Sequence, residues 1–199
     1  MTTEYHIRVW GPRAAFVDPD YTSTASRTYP TIPPTAARGV LEAIFWQREH
    51  GATAHEPPAF DWIVKRVATC RPVEVAYSMV NERKDGKPRQ SEYVTTQRMR
   101  AYLADVEYVI TAELRVRKPE HAGKYHAKFQ KLAAEGASRT AICLGQREYR
   151  ARYELVEESQ IKPIAWNTEI LMTLWTYPNN VPTSVRNKVI KVVNGVYKC

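Results

Sequence analysis

Residues 105–117 read DVEYVITAELRVR, and this stretch decides the fold. Val106, Tyr108, Ile110, Ala112, Leu114 and Val116 occupy alternate positions, with Glu107, Thr111, Glu113, Arg115 and Arg117 between them. Successive strand side chains point to opposite faces, so a period of two describes a strand with one apolar and one polar face. Such alternation belongs to a half-buried antiparallel sheet.

Upstream, residues 81–100, NERKDGKPRQSEYVTTQRMR, read as a polar and mostly basic loop with a turn at Asp85-Gly86. Before it, Val73, Val75, Tyr77 and Met79 alternate with Glu74, Ala76 and Ser78, and a mixed strand lies around Trp62–Ala68. Tyr5, Ile7 and Val9 share one face of a first strand, with His6, Arg8 and Trp10 on the other. A long connection rich in Pro, Ser, Thr and Gly follows, of a length that is usually functional inside a compact domain. Thr35 reads as the N-cap of a helix over AARGVLEAIFWQRE, whose stripe is Ala37, Val40, Leu41, Ile44 and Phe45, with Trp46 pointing away.

Downstream, a second helix is expected over His121–Ala137, closed by Gly136 or the small residues after it. A last strand, around Arg147–Leu155, alternates Tyr149, Ala151, Tyr153 and Leu155 with Arg150, Arg152 and Glu154. Strand, helix, strands, helix, strand is the α+β, ferredoxin-like (RRM-like) order, with two helices on one face of an antiparallel sheet. Residues 1–157 form that domain in this reading. Residues 158–199, with Trp166, Trp175 and VRNKVIKVVNG, form a small β-rich extension.

A chain of 199 residues can bury a real core, and its net charge of +8 favours a polyanionic partner. No apolar run approaches the roughly 20 residues that span a bilayer, and MTTEYHIRVW is too polar for a secretion signal. The three cysteines, Cys70, Cys143 and Cys199, lie far apart without a CxxC, and read as reduced thiols of a cytoplasmic protein. The five histidines lack metal-ligand spacing, so neither a metal nor another cofactor is expected.

The second helix opens with GKYHAKFQK, residues 123–131. Such a run can break a phosphodiester bond, merely hold one, or form an ordinary solvated helix face. Metal-free RNA cleavage needs a 2′-hydroxyl aligned with phosphorus, stabilised phosphoryl oxygens, and a proton for the departing 5′-oxygen. Lysine beside a helix N-terminus suits the second task. Histidine, with an ordinary pKa near ~6.5, suits the third. At ~100° per residue, Lys124 and His126 point about 160° apart in a regular helix. Both reach one phosphate only if the helix begins after Lys124.

Several segments resemble the CRISPR-associated Cas protein 5 family, in its subtype I-C (Dvulg) branch. They are GPRAAFVDPD, YPTIPPTAARGVLEAIFW, TQRMRAYLADVEYVITAEL, GKYHAKFQKLAAEGA and CLGQREYRARYEL, in the family's order over roughly residues 5–155. The resemblance implies a ferredoxin-like RNA-binding domain that caps the 5′ handle of a CRISPR RNA inside a surveillance complex. It also implies a metal-independent endoribonuclease that cuts precursor RNA at the base of the repeat hairpin. Cleaving members of the branch use a tyrosine before the tryptophan that ends the first helix, and a Lys-His pair after the glycine here numbered 123. In this chain the lysine is Lys124, the tyrosine position holds Phe45, the histidine position holds Tyr125, and His126 is displaced by one. Phe45 cannot transfer a proton.

Candidate RNA contacts are Arg38, Lys128, the cluster Arg83, Lys84, Lys87, Arg89 and Arg98, and Gly145 with Arg147 in the turn LGQRE. Trp46 and Trp10 suit base stacking, as do Tyr149 and Tyr153, which nevertheless alternate like core residues. The expected partners are CRISPR repeat RNA and other complex subunits, with no membrane. Three readings stand: a precursor-RNA nuclease, a non-catalytic scaffold gripping the handle, and a non-specific duplex DNA binder.

Overall fold

The structure, a computed structural model, describes residues 3–19, 25–49, 51, 53, 56–83, 95–176 and 184–199. Strand β5 (Thr95–Val116) is its spine. The C-terminal half of β5 runs antiparallel between β1 (Glu4–Ala14) and β3 (Phe60–Thr69), and β6 (Arg152–Leu155) lies outside β1. With α1 (Pro34–Ile44) and α2 (Ala122–Ala134) as crossovers, the order β6-β1-β5-β3 is the ferredoxin-like α+β arrangement. The N-terminal half of β5 pairs with β4 (Glu74–Arg83) and with the short β2 (Ala25–Ser26).

Ile7, Val9, Ile110 and Ala112 of the sheet share one fully buried core with Leu41 and Ile44 of α1 and Phe129 of α2. Burying each larger side chain of this kind is worth about 1.5–3 kcal/mol. The hairpin β7 (Thr168–Thr176) and β8 (Ser184–Val192) sends Ile170, Met172, Ile190 and Val192 into the same core. Strand β9 (Val196–Lys198) covers the outer edge of β3, and the Tyr197 hydroxyl donates to the Ile32 carbonyl at 2.5 Å. Among the described residues no helix is long and apolar enough to cross a membrane.

Several elements differ from the sequence pattern. Helix α1 is capped by Pro33 rather than Thr35, and no side chain closes its first turn. Pro34 at the first helical position carries the preset φ and no N–H to satisfy. The helix ends at Ile44, and Phe45 is already extended (φ −143°, ψ 116°). Residues 95–100, expected in a loop, are strand, because the backbone ladder pairs Ser78 with Arg100 and Val80 with Arg98 whatever their polarity. Strand β6 starts at Arg152, since residues 144–149 turn back on themselves, with Leu144 N–H donating to Tyr149 O at 2.9 Å. The Asp85-Gly86 turn, Lys84, Lys87 and Arg89 lie outside the described residues, as does the side chain of Arg83.

The polar face of β5 is not simply solvated. Val109, Thr111 and Glu113 are buried there. Residues 156–164 cross this face, with Val156 N–H donating to His6 O and Ile164 N–H to Thr69 O. Val156 and Ile161 pack on Ala68 and Val109. Lys65, 3.0 Å from Glu113, holds that carboxyl below the usual range.

Candidate nucleic-acid interface

Beyond α1 the chain runs extended from Phe45, and an extended chain presents alternate residues to opposite sides. Phe45, Gln47 and Glu49 face α2. Gln47 Oε1 accepts from Lys128 Nζ at 2.6 Å, and Glu49 Oε1 lies 3.2 Å from His121 Nδ1. The Phe45 ring is buried, stacks on Phe60 at 4.7 Å, and has Lys128 Nζ 5.9 Å from its centroid.

On the other side, two guanidinium groups lie over the Trp46 ring, Arg48 at 5.0 Å and Arg139 at 5.4 Å. Backbone geometry brings Arg139 there: its N–H donates to Ile44 O at 3.1 Å, and Thr140 N–H donates to Ala43 O at 3.0 Å. These donors satisfy carbonyls that the last turn of α1 leaves without helical partners.

A short 3₁₀ turn, Pro119–His121, leads into α2, which begins at Ala122. Lys124 therefore sits in the first turn of regular helix, and the late start needed to converge Lys124 and His126 on one phosphate is not formed. Tyr125, on the core side, is 1% exposed, with Lys124 Nζ 5.9 Å from its ring centroid. Burial and then the Glu49 charge raise the Tyr125 pKa, so its hydroxyl keeps its proton at neutral pH. His126 turns to β1, where Nδ1 shares a 2.7 Å hydrogen bond with the Tyr5 hydroxyl and the rings stack at 5.7 Å. Partial burial lowers its pKa, which keeps the imidazole neutral at pH 7.

Arg38 lies in α1, bound to Glu42 at 2.7 Å and 3.9 Å from Asp61, which also pairs with Arg117 at 2.7 Å. Lys124, Tyr125, Lys128, Phe45 and Trp46 thus gather where α1 ends and α2 begins.

A second basic region lies past the far end of β1. Gly145 has φ +88°, and a Cβ there would stand 1.8 Å from the Ala15 carbonyl oxygen, so no other residue fits without backbone movement. Arg147 is exposed on the same turn, and Arg100 of β5 reaches its Gln146 and Glu148 at 3.1 and 3.2 Å. Arg98 is half-buried on β5. Trp10 lines a surface cleft of about 360 Å³ with Arg150 and Arg152. Tyr149 and Tyr153 are buried, and the Tyr153 hydroxyl donates to Ala137 O at 2.5 Å, which is a packing role.

The sequence pattern missed Gln47, Arg48, Glu49, His121 and Arg139. The first three were hidden by reading α1 through to residue 49.

An antiparallel sheet carrying two helices, with lysines, arginines and an indole at one helix end, defines a ferredoxin-like α+β protein with a cationic and aromatic surface. Residues 5–171 match the family described as CRISPR-associated protein (Cas_Cas5), and the chain belongs to that family. It is 32% identical over 152 residues to the CRISPR pre-crRNA endoribonuclease Cas5d of Thermus thermophilus, a match covering 74% of this chain and 62% of that protein. The chain thus spans less than two thirds of that relative's length. It is 25% identical over 190 residues to the protein of the same description from Mannheimia succiniciproducens, covering 85% of this chain and 80% of that one. The crystal structure of a CRISPR-associated protein superposes with a TM-score of 0.68 at 18% identity, over 100% of this chain and 92% of that chain. At that identity the likeness concerns the fold.

Proposed function

We propose that this protein is an endoribonuclease that cuts CRISPR precursor RNA at the base of its repeat hairpin without a metal ion. It then stays on the 5′ handle of the product as a subunit of a cytoplasmic surveillance complex. The observation that carries this reading is the position of Lys124, in the first turn of α2 and one helical turn before Lys128, where its ammonium and the positive end of the helix dipole can face one phosphate. Two relatives named as pre-crRNA endoribonucleases support it.

In this reading Lys124 stabilises charge on the phosphoryl oxygens, and Lys128 and Arg38 hold flanking phosphates. Trp46, flanked by two cations, stacks an unpaired base. The turn at Gly145 and Arg147, with Arg98 on β5, takes the handle backbone farther along, where a backbone without a Cβ admits close approach. Arg83, Lys84, Lys87 and Arg89 are further candidate contacts to the RNA backbone.

Phe45 favours a second reading. A buried phenyl ring stands where cleaving members of the branch have a hydroxyl, which suits a scaffold that binds the handle and leaves cutting to another protein.

Incubating the protein with its own repeat hairpin in EDTA separates the two. A single cut at the hairpin base by the wild type, lost in Lys124→Ala, is the result expected of the nuclease. Tight binding that leaves the RNA whole assigns the scaffold role. Equal competition by duplex DNA at moderate salt removes RNA specificity altogether.

A further inference from the structure

Two of the three family positions that carry proton-transfer chemistry hold Phe45 and Tyr125 here, and His126 is committed to Tyr5. The reaction still needs a proton for the departing oxygen. His121 closes the 3₁₀ turn that leads into this helix. Its Nδ1 faces the Glu49 carboxylate at 3.2 Å, and its side chain is 39% exposed, so solvent and RNA can reach it. Nε2, on the opposite edge of the ring, has no partner among the described residues. A carboxylate on Nδ1 fixes the ring's orientation, as in carboxylate–histidine pairs generally.

The ring's side is set by its contacts: its partner Glu49 comes from the same extended segment as Gln47, the partner of Lys128. Within α2, Lys128 lies about 40° from Lys124, whereas His126 lies about 160° away. The ring centroids of His121 and Tyr125 are 6.4 Å apart. Glu49 from the extended segment, Tyr125 from α2 and Lys118 from the preceding turn are the charged and titratable groups around the pair, with Lys124 on the same side of α2.

We infer that His121, held by Glu49, is the general acid that protonates the departing 5′-oxygen. This rests on the nuclease reading above. The 2′-oxygen attacks phosphorus while its proton passes to solvent water. The phosphorus–O5′ bond breaks, and the His121 imidazolium delivers its Nε2 proton to O5′. One RNA end then carries a 2′,3′-cyclic phosphate and the other a 5′-hydroxyl, and His121 regains a proton from water. Glu49 is a positioning residue in this scheme, since it acts through the imidazole.

The test is single-turnover cleavage of the repeat hairpin in EDTA, with affinity measured on the same hairpin carrying a 2′-deoxy nucleotide at the cut. His121→Ala is expected to slow cleavage about 100-fold with affinity within about twofold, and added imidazole to restore at least about tenfold of the loss. Glu49→Gln should slow cleavage about tenfold, again without loss of binding. Cleavage by His121→Ala within about threefold of a cutting wild type overturns the assignment. So does a 100-fold loss found in His126→Asn but not in His121→Ala, or a loss that imidazole leaves untouched. A wild type that never cuts removes the nuclease reading itself, a distinct outcome that takes this step with it.

Discussion

At one end of β1, the segment 45–49 and the first turns of α2 meet through side chains: Gln47 with Lys128, Glu49 with His121, Trp46 with Arg48 and Arg139. At the other end, about 30 Å away at ~3.3 Å per residue, Gly145 meets Ala15 through backbone alone. The difference separates two ways of building a basic surface. The first region is an arrangement of replaceable groups whose loss should change chemistry or affinity more than folding. The second depends on one missing side chain, and its loss should strike the fold first.

Gly145→Ala is the harshest way to test that contrast. A methyl group 1.8 Å from the Ala15 carbonyl oxygen, at φ +88°, must push β1 and the turn apart. The expected loss is about 3 kcal/mol or more, read from urea unfolding. Stability within 1 kcal/mol of wild type would mean that the turn relaxes freely. Next, Lys124→Ala should lower the single-turnover cleavage rate about 100-fold, equivalent to about 2.7 kcal/mol of transition-state stabilisation, with the unfolding midpoint unchanged.

Smaller effects sharpen the comparison through binding. Trp46→Ala should weaken repeat-RNA binding about tenfold by removing a stacking surface, as seen in filter binding. Arg147→Ala should cost only about threefold and reduce the slope of log affinity against log salt by about 0.7, the signature of one lost phosphate contact.

The mildest test concerns His126. Its folded pKa is lowered by burial, so its contribution is complete above the ordinary value near ~6.5 and is lost as pH falls from there through the lower folded value. Urea midpoints between pH 7.5 and 5.5 should fall less steeply in His126→Gln than in the wild type.

The fold was largely legible because its core elements obey their periods. Val106, Tyr108, Ile110, Ala112 and Leu114 face the core as their spacing predicts, although Val109, Thr111 and Glu113 opposite them are buried too, and Ala37, Val40, Leu41 and Ile44 form the buried stripe of α1. The second helix and its left-handed Gly136, at φ +62°, were equally readable. The site was less so, for two physical reasons. Helical propensity in FWQRE concealed an extended segment that tertiary pairing with α2 holds open. The partners of Lys128 and His121 come from residues 81 and 72 positions away, a separation that no local pattern reports.

One residue of the spine has a consequence beyond RNA. Asp105 adopts φ +47° and pairs with Arg71, and across it the inward-looking positions of β5 change from even numbers (106 to 114) to odd ones (101 and 103), while the pairing with β1 stays in step. The strand is two rulers with offset scales, joined at a single mark. Anyone lengthening the projecting β4–β5 ribbon must insert residues in twos, matched on both strands. A solitary insertion between residues 100 and 101 would swing Arg98 and Arg100 to the face that carries Met79, and Met99 to theirs.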